Sequence, residues 1–297
     1  MPGARLSTVV SPHTRRRWRW SGASRLRVAL LAVLAVAILT ACTAAHEAPG
    51  QGTAVTPLAV APGQALITLP QHAWASYVLP GKQATAYRFT AKEGRAAVEA
   101  RSNRSASMLR QRMALEAQEW PTLSWSWWVE DVLADADLGD VDKTDSPASI
   151  VLAFDGDKSR LPARARMMFD LAKALTGEEP PYATLVYAWA TSTPLESVVH
   201  NPRSDRIRKI VIESGNTHTR QWRDHRRNIV EDYRRAFGED PGPLLGVALM
   251  TDTDNTRSAV RAWYGPVRLE RSALQYPAGP RESANVAVSN SRSPANR

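Results

Sequence analysis

Residues 244–269 read LLGVALMTDTDNTRSAVRAWYGPVRL, and the fold follows from how this stretch is divided. The apolar run Leu244 to Met250 predicts a strand. Thr251 to Thr256 is a short acidic turn, and Ala259 to Leu269 predicts a second strand, so the pair should close a β-sandwich as a hairpin.

Outward from this stretch, short apolar runs punctuated by Gly, Pro, Asp and Asn predict further strands at Ala65 to Leu69, Ala84 to Thr90, Ala96 to Arg101, Thr122 to Val129, Ser149 to Phe154, Ala183 to Ala190 and Ile207 to Glu213. No internal repeat or helix-strand alternation appears, so the chain is expected to be mainly β with two short helices. In the first helix, Arg164 to Leu175, Met167, Met168, Leu171 and Leu175 recur at helical spacing, which reads as a structural apolar stripe. The second, about Ile229 to Phe237, has Ile229, Tyr233 and Phe237 on one stripe. Asn228 and Glu231 have capping-box spacing, Gly238 stands at the C-cap position, and Glu231 and Arg235 can pair at i, i+4. This helix should cover an open end or edge of the sandwich.

Six arginines between Arg15 and Arg27 precede an apolar run from Val28 to Leu39 that is short for a membrane span. The run ends in Leu39-Thr40-Ala41-Cys42, which resembles the lipobox of bacterial lipoproteins and holds the only cysteine of the chain. Residues 1–41 therefore read as a lipoprotein signal peptide, with Cys42 the lipidated residue and membrane anchor. Two or three acyl chains, each burying about 0.8 kcal/mol per methylene, suffice for stable attachment. The expected address is the cell envelope, facing the periplasm or the exterior. Thr43 after the cysteine favours the outer membrane in a Gram-negative cell, by resemblance to lipoprotein sorting.

Residues 42–63 read as a flexible tether, 64–276 as a single sandwich domain and 277–297 as a disordered tail. The formal charge of +9 suggests a nucleic-acid partner only until it is located. Seven of the arginines, with no acid, lie in residues 1–41, so the remainder carries 9 − 7 = +2. That is no footprint for a nucleic acid.

Four tryptophans fall between Trp120 and Trp128. On a strand, Leu123, Trp125, Trp127 and Val129 share one face, and Ser124, Ser126, Trp128 and Glu130 share the other. Trp128 is thus a large aromatic on a polar face: either a stacking platform for a sugar ring or a side chain covered by another segment. Trp222, near Asp224 and His225, is a second candidate for partial exposure. In the acidic turn, Asp252, Asp254 and Asn255 offer ligands suited to a hard cation such as calcium, although Arg257 and Trp263 stand where an EF-hand needs Gly and Glu. The alternative is a turn whose Asp and Asn side chains bond their own backbone. No other cofactor is implied, since phosphate-cradling loops, nucleophile elbows and Cys/His metal spacing are absent from the sequence.

Several blocks together carry a resemblance: Leu123-Ser-Trp-Ser-Trp127, Tyr187-Ala-Trp-Ala190, Ile212-Glu-Ser-Gly215, Arg227 with Asp232-Tyr-Arg-Arg-Ala-Phe-Gly-Glu239, Met250-Thr-Asp-Thr-Asp-Asn-Thr256 and Ala262-Trp-Tyr-Gly265. In this order, over roughly residues 120 to 270, the chain resembles the bacterial domain-of-unknown-function family 3047. The resemblance implies an exported domain similar to galactose-binding-like or other jelly-roll β-sandwiches, and it implies no activity. One departure stands out: where family members carry paired acids and then an Arg, this chain reads Asp145-Ser-Pro-Ala-Ser149. The expectation is a lipid-anchored, non-catalytic sandwich that binds carbohydrate or a related envelope polymer. The alternatives are a glycan-acting hydrolase or lyase on the same fold, with facing carboxylates, and an assembly lipoprotein that recognises another protein through an exposed apolar patch.

Overall fold

The computed structural model describes residues 58, 61 and 64–272. The predicted signal peptide with Cys42, the rest of the predicted tether and the predicted C-terminal tail lie outside the described residues. No helix among the described residues is long and apolar enough to cross a membrane.

Two seven-stranded sheets form a jelly-roll-like sandwich. The first holds β1 (Leu66–Thr68), β14 (Arg268–Glu270), β6 (Thr122–Val129), β13 (Ala259–Tyr264), β4 (Arg95–Asn103) and β3 (Ala86–Lys92) in that order, with β11 (Trp222–Asn228) along the other side of β6. The second runs β2 (Ala75–Val78), β5 (Ser107–Leu115), β12 (Leu244–Asp252), β7 (Ser146–Phe154), β8 (Ala183–Ala190), β10 (Ile207–Ser214) and β9 (Val198–His200). Among the described residues only β8 and β10 are paired in parallel.

The 244–269 stretch does form strands, but they are not a hairpin. β12 lies within the second sheet, between β5 and β7, and β13 lies within the first, between β6 and β4. The acidic turn is therefore a crossing from one layer to the other. Thr253 holds that crossing against the end of β4: its N–H donates to Ser105 O at 3.0 Å, and its hydroxyl is 2.8 Å from Ser102 Oγ. The predicted second strand is also broken. Trp263 faces Trp128 across β6, whereas Arg268 faces Ser124, one residue out of step, so a bulge falls at Pro266 and Val267.

The alternation on β6 holds. Leu123, Trp125, Trp127 and Val129 are buried in the core between the sheets, with Trp125 stacked on Tyr187 of β8 at 5.0 Å and Trp127 tilted against Trp189 at 6.0 Å. Helix α2 (Ile229–Phe237) packs beside β10 and β11 and buries Ile229, Val230 and Tyr233. Asn228 caps it by accepting from Val230 N and Glu231 N, and Gly238 ends it in the left-handed region. Arg235 pairs with Glu196 and Asp232 instead of Glu231, because the helix faces those acids.

Helix α1 (Ala163–Thr176) differs from its structural reading. It rests on the domain through Ala165 and Phe169, while Met167, Met168, Leu171 and Leu175 are exposed. The stripe visible in the sequence faces away from the domain.

Candidate functional site

The outer face of the first sheet carries a row of aromatic side chains. Cross-strand pairing places Trp222 of β11 opposite Trp128 of β6, Trp128 opposite Trp263 of β13, and Trp263 opposite Glu99 of β4, which faces Arg88 of β3. Directly opposed residues project to the same face, so the order Trp222–Trp128–Trp263–Glu99–Arg88 runs straight across five strands. The two expected aromatic candidates are thus immediate neighbours.

Their exposures differ. Trp128 is 7% exposed and meets Trp263 edge-on at 5.0 Å, with the Lys92 ammonium 3.8 Å from the centre of its ring. Among the described residues its cover is a neighbouring indole and a lysine, in the geometry of a cation–π contact, and not a helix. Trp222 is half-buried. Its Nε1–H donates to Lys92 O at 3.2 Å, and Arg95 stands over the ring at 5.2 Å while pairing with Asp224 at 2.8 Å.

The next row explains where the Trp222 ring rests. It contains Asp224 and Ser126, with Gly265 bonded to Ser126 O. A Cβ on Gly265 would clash with Ser126 Oγ and stand 3.7 Å from Trp222 Cζ3, so the indole lies in contact distance over this floor. Ala97 and Gly265 also line a mostly apolar cleft of about 200 Å³ with Phe89, Trp74 and Tyr264. The cleft arises from the bulge: above it β13 pairs with β4, below it β14 pairs with β1, and the two partners separate.

Charge on this face is arranged around arginines. Glu99, almost fully buried, accepts from Arg88 at 2.8 Å and Arg101 at 2.9 Å. Burial alone would raise its pKa, but these two hydrogen bonds outweigh burial and hold the carboxyl below its usual range. Glu130 beside Arg261 and Glu270 beside Arg226 are likewise held low by their guanidinium partners.

The remaining candidates lie elsewhere. Asp252 ends β12, Asp254 and Asn255 follow in the crossing, and Asp145 precedes β7. One oxygen from each of Asp145, Asp252 and Asp254 falls within 4.8 Å of the others, and these three could hold a metal ion. Among the described residues the turn's Asp and Asn side chains bond other segments and not their own backbone. Asp145 accepts from Asn255 N, Thr256 N and Thr256 Oγ1, Asp252 accepts from Ser146 N, and Asn255 Nδ2 donates to Thr144 Oγ1. Two lysines already supply positive charge: Lys82 bonds Asp254, and buried Lys209 donates to Thr144 O at 2.8 Å. Burial raises the Asp252 pKa to about 7, with Lys209 opposing and Asp145 adding to the rise. Burial lowers that of Lys209, against the pull of Asp252 and Asp145. No hydrogen bond joins this group to the tryptophan row among the described residues.

Sequence reasoning missed Lys92, Arg95, Glu99 and Arg88. Their signal was the alternation Arg95, Ala97, Glu99, Arg101 on β4, which puts the charged residues on one face.

The fold and this face define a two-sheet β-sandwich with an aromatic, arginine-rich outer surface. The chain belongs to the family described as Protein of unknown function (DUF3047), which matches residues 72–268. No curated protein matches it. Among solved structures it is similar to a family 30 carbohydrate-binding module of a cellulosomal cellulase of Clostridium thermocellum, at 10% identity over 68% of this chain and 92% of that one, with a TM-score of 0.36. It is also similar to the xyloglucanase domain of an effector from Sinorhizobium fredii, at 8% identity, 69% and 96% coverage and a TM-score of 0.37. A third is Trichoderma harzianum endoglucanase 3 of family GH12, at 6% identity, 70% and 95% coverage and a TM-score of 0.37.

Proposed function

We propose that this chain is a lipid-anchored cell-envelope protein whose sandwich binds a carbohydrate or related envelope polymer, without catalysis, on the outer face of the first sheet. The observation that carries this reading is Trp222. Its indole is fixed over the Ser126 and Gly265 floor by the bond to Lys92 O, beside a cleft, with an arginine and a carboxylate within reach. Sugar rings offer apolar C–H faces to an indole and hydroxyls to such polar groups, and a fixed platform loses little entropy on binding. On this face the same ion pairs favour binding over catalysis. A general acid needs a raised pKa, whereas Glu99, Glu130 and Glu270 are held low. The anchor rests on the export run and Cys42.

Affinity electrophoresis of the full-length protein in detergent, against peptidoglycan and envelope polysaccharides, tests the ligand. Trp222→Ala should weaken binding by about tenfold or more, a difference of at least ~1.4 kcal/mol. A folded variant that binds as well as the parent sinks the reading. Palmitate should label the protein and not its Cys42→Ala variant; an unlabelled parent removes the anchor.

Recognition of another protein has one observation in its favour, the exposed stripe Met167, Met168, Leu171 and Leu175 on α1. If that stripe mediates assembly, Leu171→Ser with Leu175→Ser should turn a sedimenting complex into monomer. Unchanged sedimentation excludes this role for the stripe.

A further inference from the structure

Positive charge on the Trp222 face exceeds what its own carboxylates neutralise. Glu99 is shared by two guanidiniums, Arg88 and Arg101, which are 68% and 56% exposed. One carboxylate cannot balance both, so this end of the tryptophan row keeps about one net positive charge. Two outward positions along β6 from Trp128, at Ser124, Glu270 is bonded by Arg226, and Arg268, exposed on β14, has no ion-pair partner among the described residues. Over the row itself, the Lys92 ammonium rests on the indoles of Trp128 and Trp263, with Glu93 at 3.7 Å.

These cations border the aromatic platform at the β3–β4 end of the row and, along β6, at Ser124. Trp222 and Glu99 are separated by three strand spacings, on the order of 14 Å, so a ligand lying on the indole also reaches guanidinium groups. Guanidinium is the group suited to planar, two-point recognition of carboxylate and phosphate. A neutral polymer would leave these charges without partners.

Building on the glycan reading above, we infer that the ligand is an anionic glycan, with sugar rings packed on Trp222 and carboxylate or phosphate groups drawn to Arg88, Arg101 and Arg268. The shared chemistry is an oxyanion on a sugar chain, and the experiment separates its two sources. The full-length protein in detergent is titrated with polygalacturonate, with its fully methyl-esterified form, with a phosphodiester-linked teichoic acid, with neutral xyloglucan and with inorganic polyphosphate. Binding of polygalacturonate or of the teichoic acid is expected to be at least about tenfold tighter than binding of the two neutral polymers, and to weaken as salt rises. Preference between the two acidic polymers assigns carboxylate or phosphate.

Arg268→Gln and Arg88→Gln, the latter leaving Arg101 on Glu99, should each lower affinity for the acidic polymer severalfold without changing the melting temperature. Trp222→Ala should lower affinity for every sugar polymer. Equal affinity for acidic and neutral glycans, insensitive to salt, overturns the anionic assignment and leaves the glycan reading intact. Polyphosphate bound as tightly as the acidic glycans, with no effect of Trp222→Ala, overturns it in favour of bare charge attraction. Binding to none of the polymers overturns both readings.

Discussion

The two sheets treat their outer faces in opposite ways. On the second sheet, Val186, Ala188, Ala190 and Val211 are sealed by Leu138 from the loop between β6 and β7. Lys209 fixes that loop through Thr144 O, and Asp145 fixes the neighbouring crossing through Thr256. Among the described residues no segment plays this part on the first sheet: the side chains cover themselves, Trp222, Trp263 and Lys92 over Trp128, with ion pairs around them. A face sealed by its own loop contributes stability. A face finished only by side chains is the one a ligand can reach. Substitutions on the second face should therefore cost stability, and those on the first should cost ligand.

The largest expected effect is at Lys209. Lys209→Ala removes the buried cation beside Asp252 and Asp145 and frees the covering loop, a loss of about 3–5 kcal/mol in urea unfolding at pH 8. A loss below about 1 kcal/mol would mean that Lys209 does not hold the loop. Leu138→Ala, which empties the side chain that seals the second face, should cost about 3 kcal/mol and leave polymer binding unchanged. Trp222→Ala should reverse that pattern: roughly 1–2 kcal/mol of stability for a half-buried indole, and loss of the ligand. If both variants lose stability and binding alike, the contrast between the faces fails.

How much of this was legible in the sequence depended on whether burial was achieved by apolar side chains. β6 and β8 matched their predicted limits because their inner positions are tryptophan, tyrosine and leucine at period two. β11, reading WRDHRRN, carries no such signal. Its inward residues are Arg223, His225 and Arg227, accommodated by Glu213, Asp232 and Glu196 from neighbouring elements. The same limitation turned β12 and β13 into a hairpin: periodicity reports which residues alternate, not which sheet a strand joins. The α1 stripe has helical spacing whether or not anything covers it. At the site, Trp128 was legible as an aromatic on a polar face, but its cover was not, because Lys92 and Trp263 reach it only through pairing of β3, β4, β6 and β13.

A smaller effect separates the faces by pH. For Asp252 the folded carboxyl binds its proton up to about pH 7 because of burial, while an unfolded Asp releases it near 3.9. The folded state holds more protons between these values, so this group lowers stability as pH rises from about 4 to 7. Asp252→Asn should remove that slope. Its gain in melting temperature over the parent should be clear at pH 8 and vanish near pH 4. An equal shift at both values would show that Asp252 is not buried as an acid.

The smallest effect lies at the inner edge of the bare sheet, and it has the opposite sign. His225 sits 5.2 Å from the Trp125 ring and 5.1 Å from that of Trp127, and burial lowers its pKa to about 4 even with Glu213 nearby. An unfolded histidine takes its proton near 6.5, so here the unfolded state holds more protons between about pH 4 and 6.5. The contribution is complete above 6.5 and is lost as pH falls. In the parent protein the two slopes oppose each other over nearly the same interval, and the melting temperature should change little there. Each single variant exposes the other group: Asp252→Asn should melt at rising temperature from pH 4 to 6.5, and His225→Gln at falling temperature from pH 4 to 7. If His225→Gln leaves the pH profile of the parent unchanged, the imidazole is not held neutral by the tryptophans, and the inner edge of the first sheet is wetter than its packing indicates.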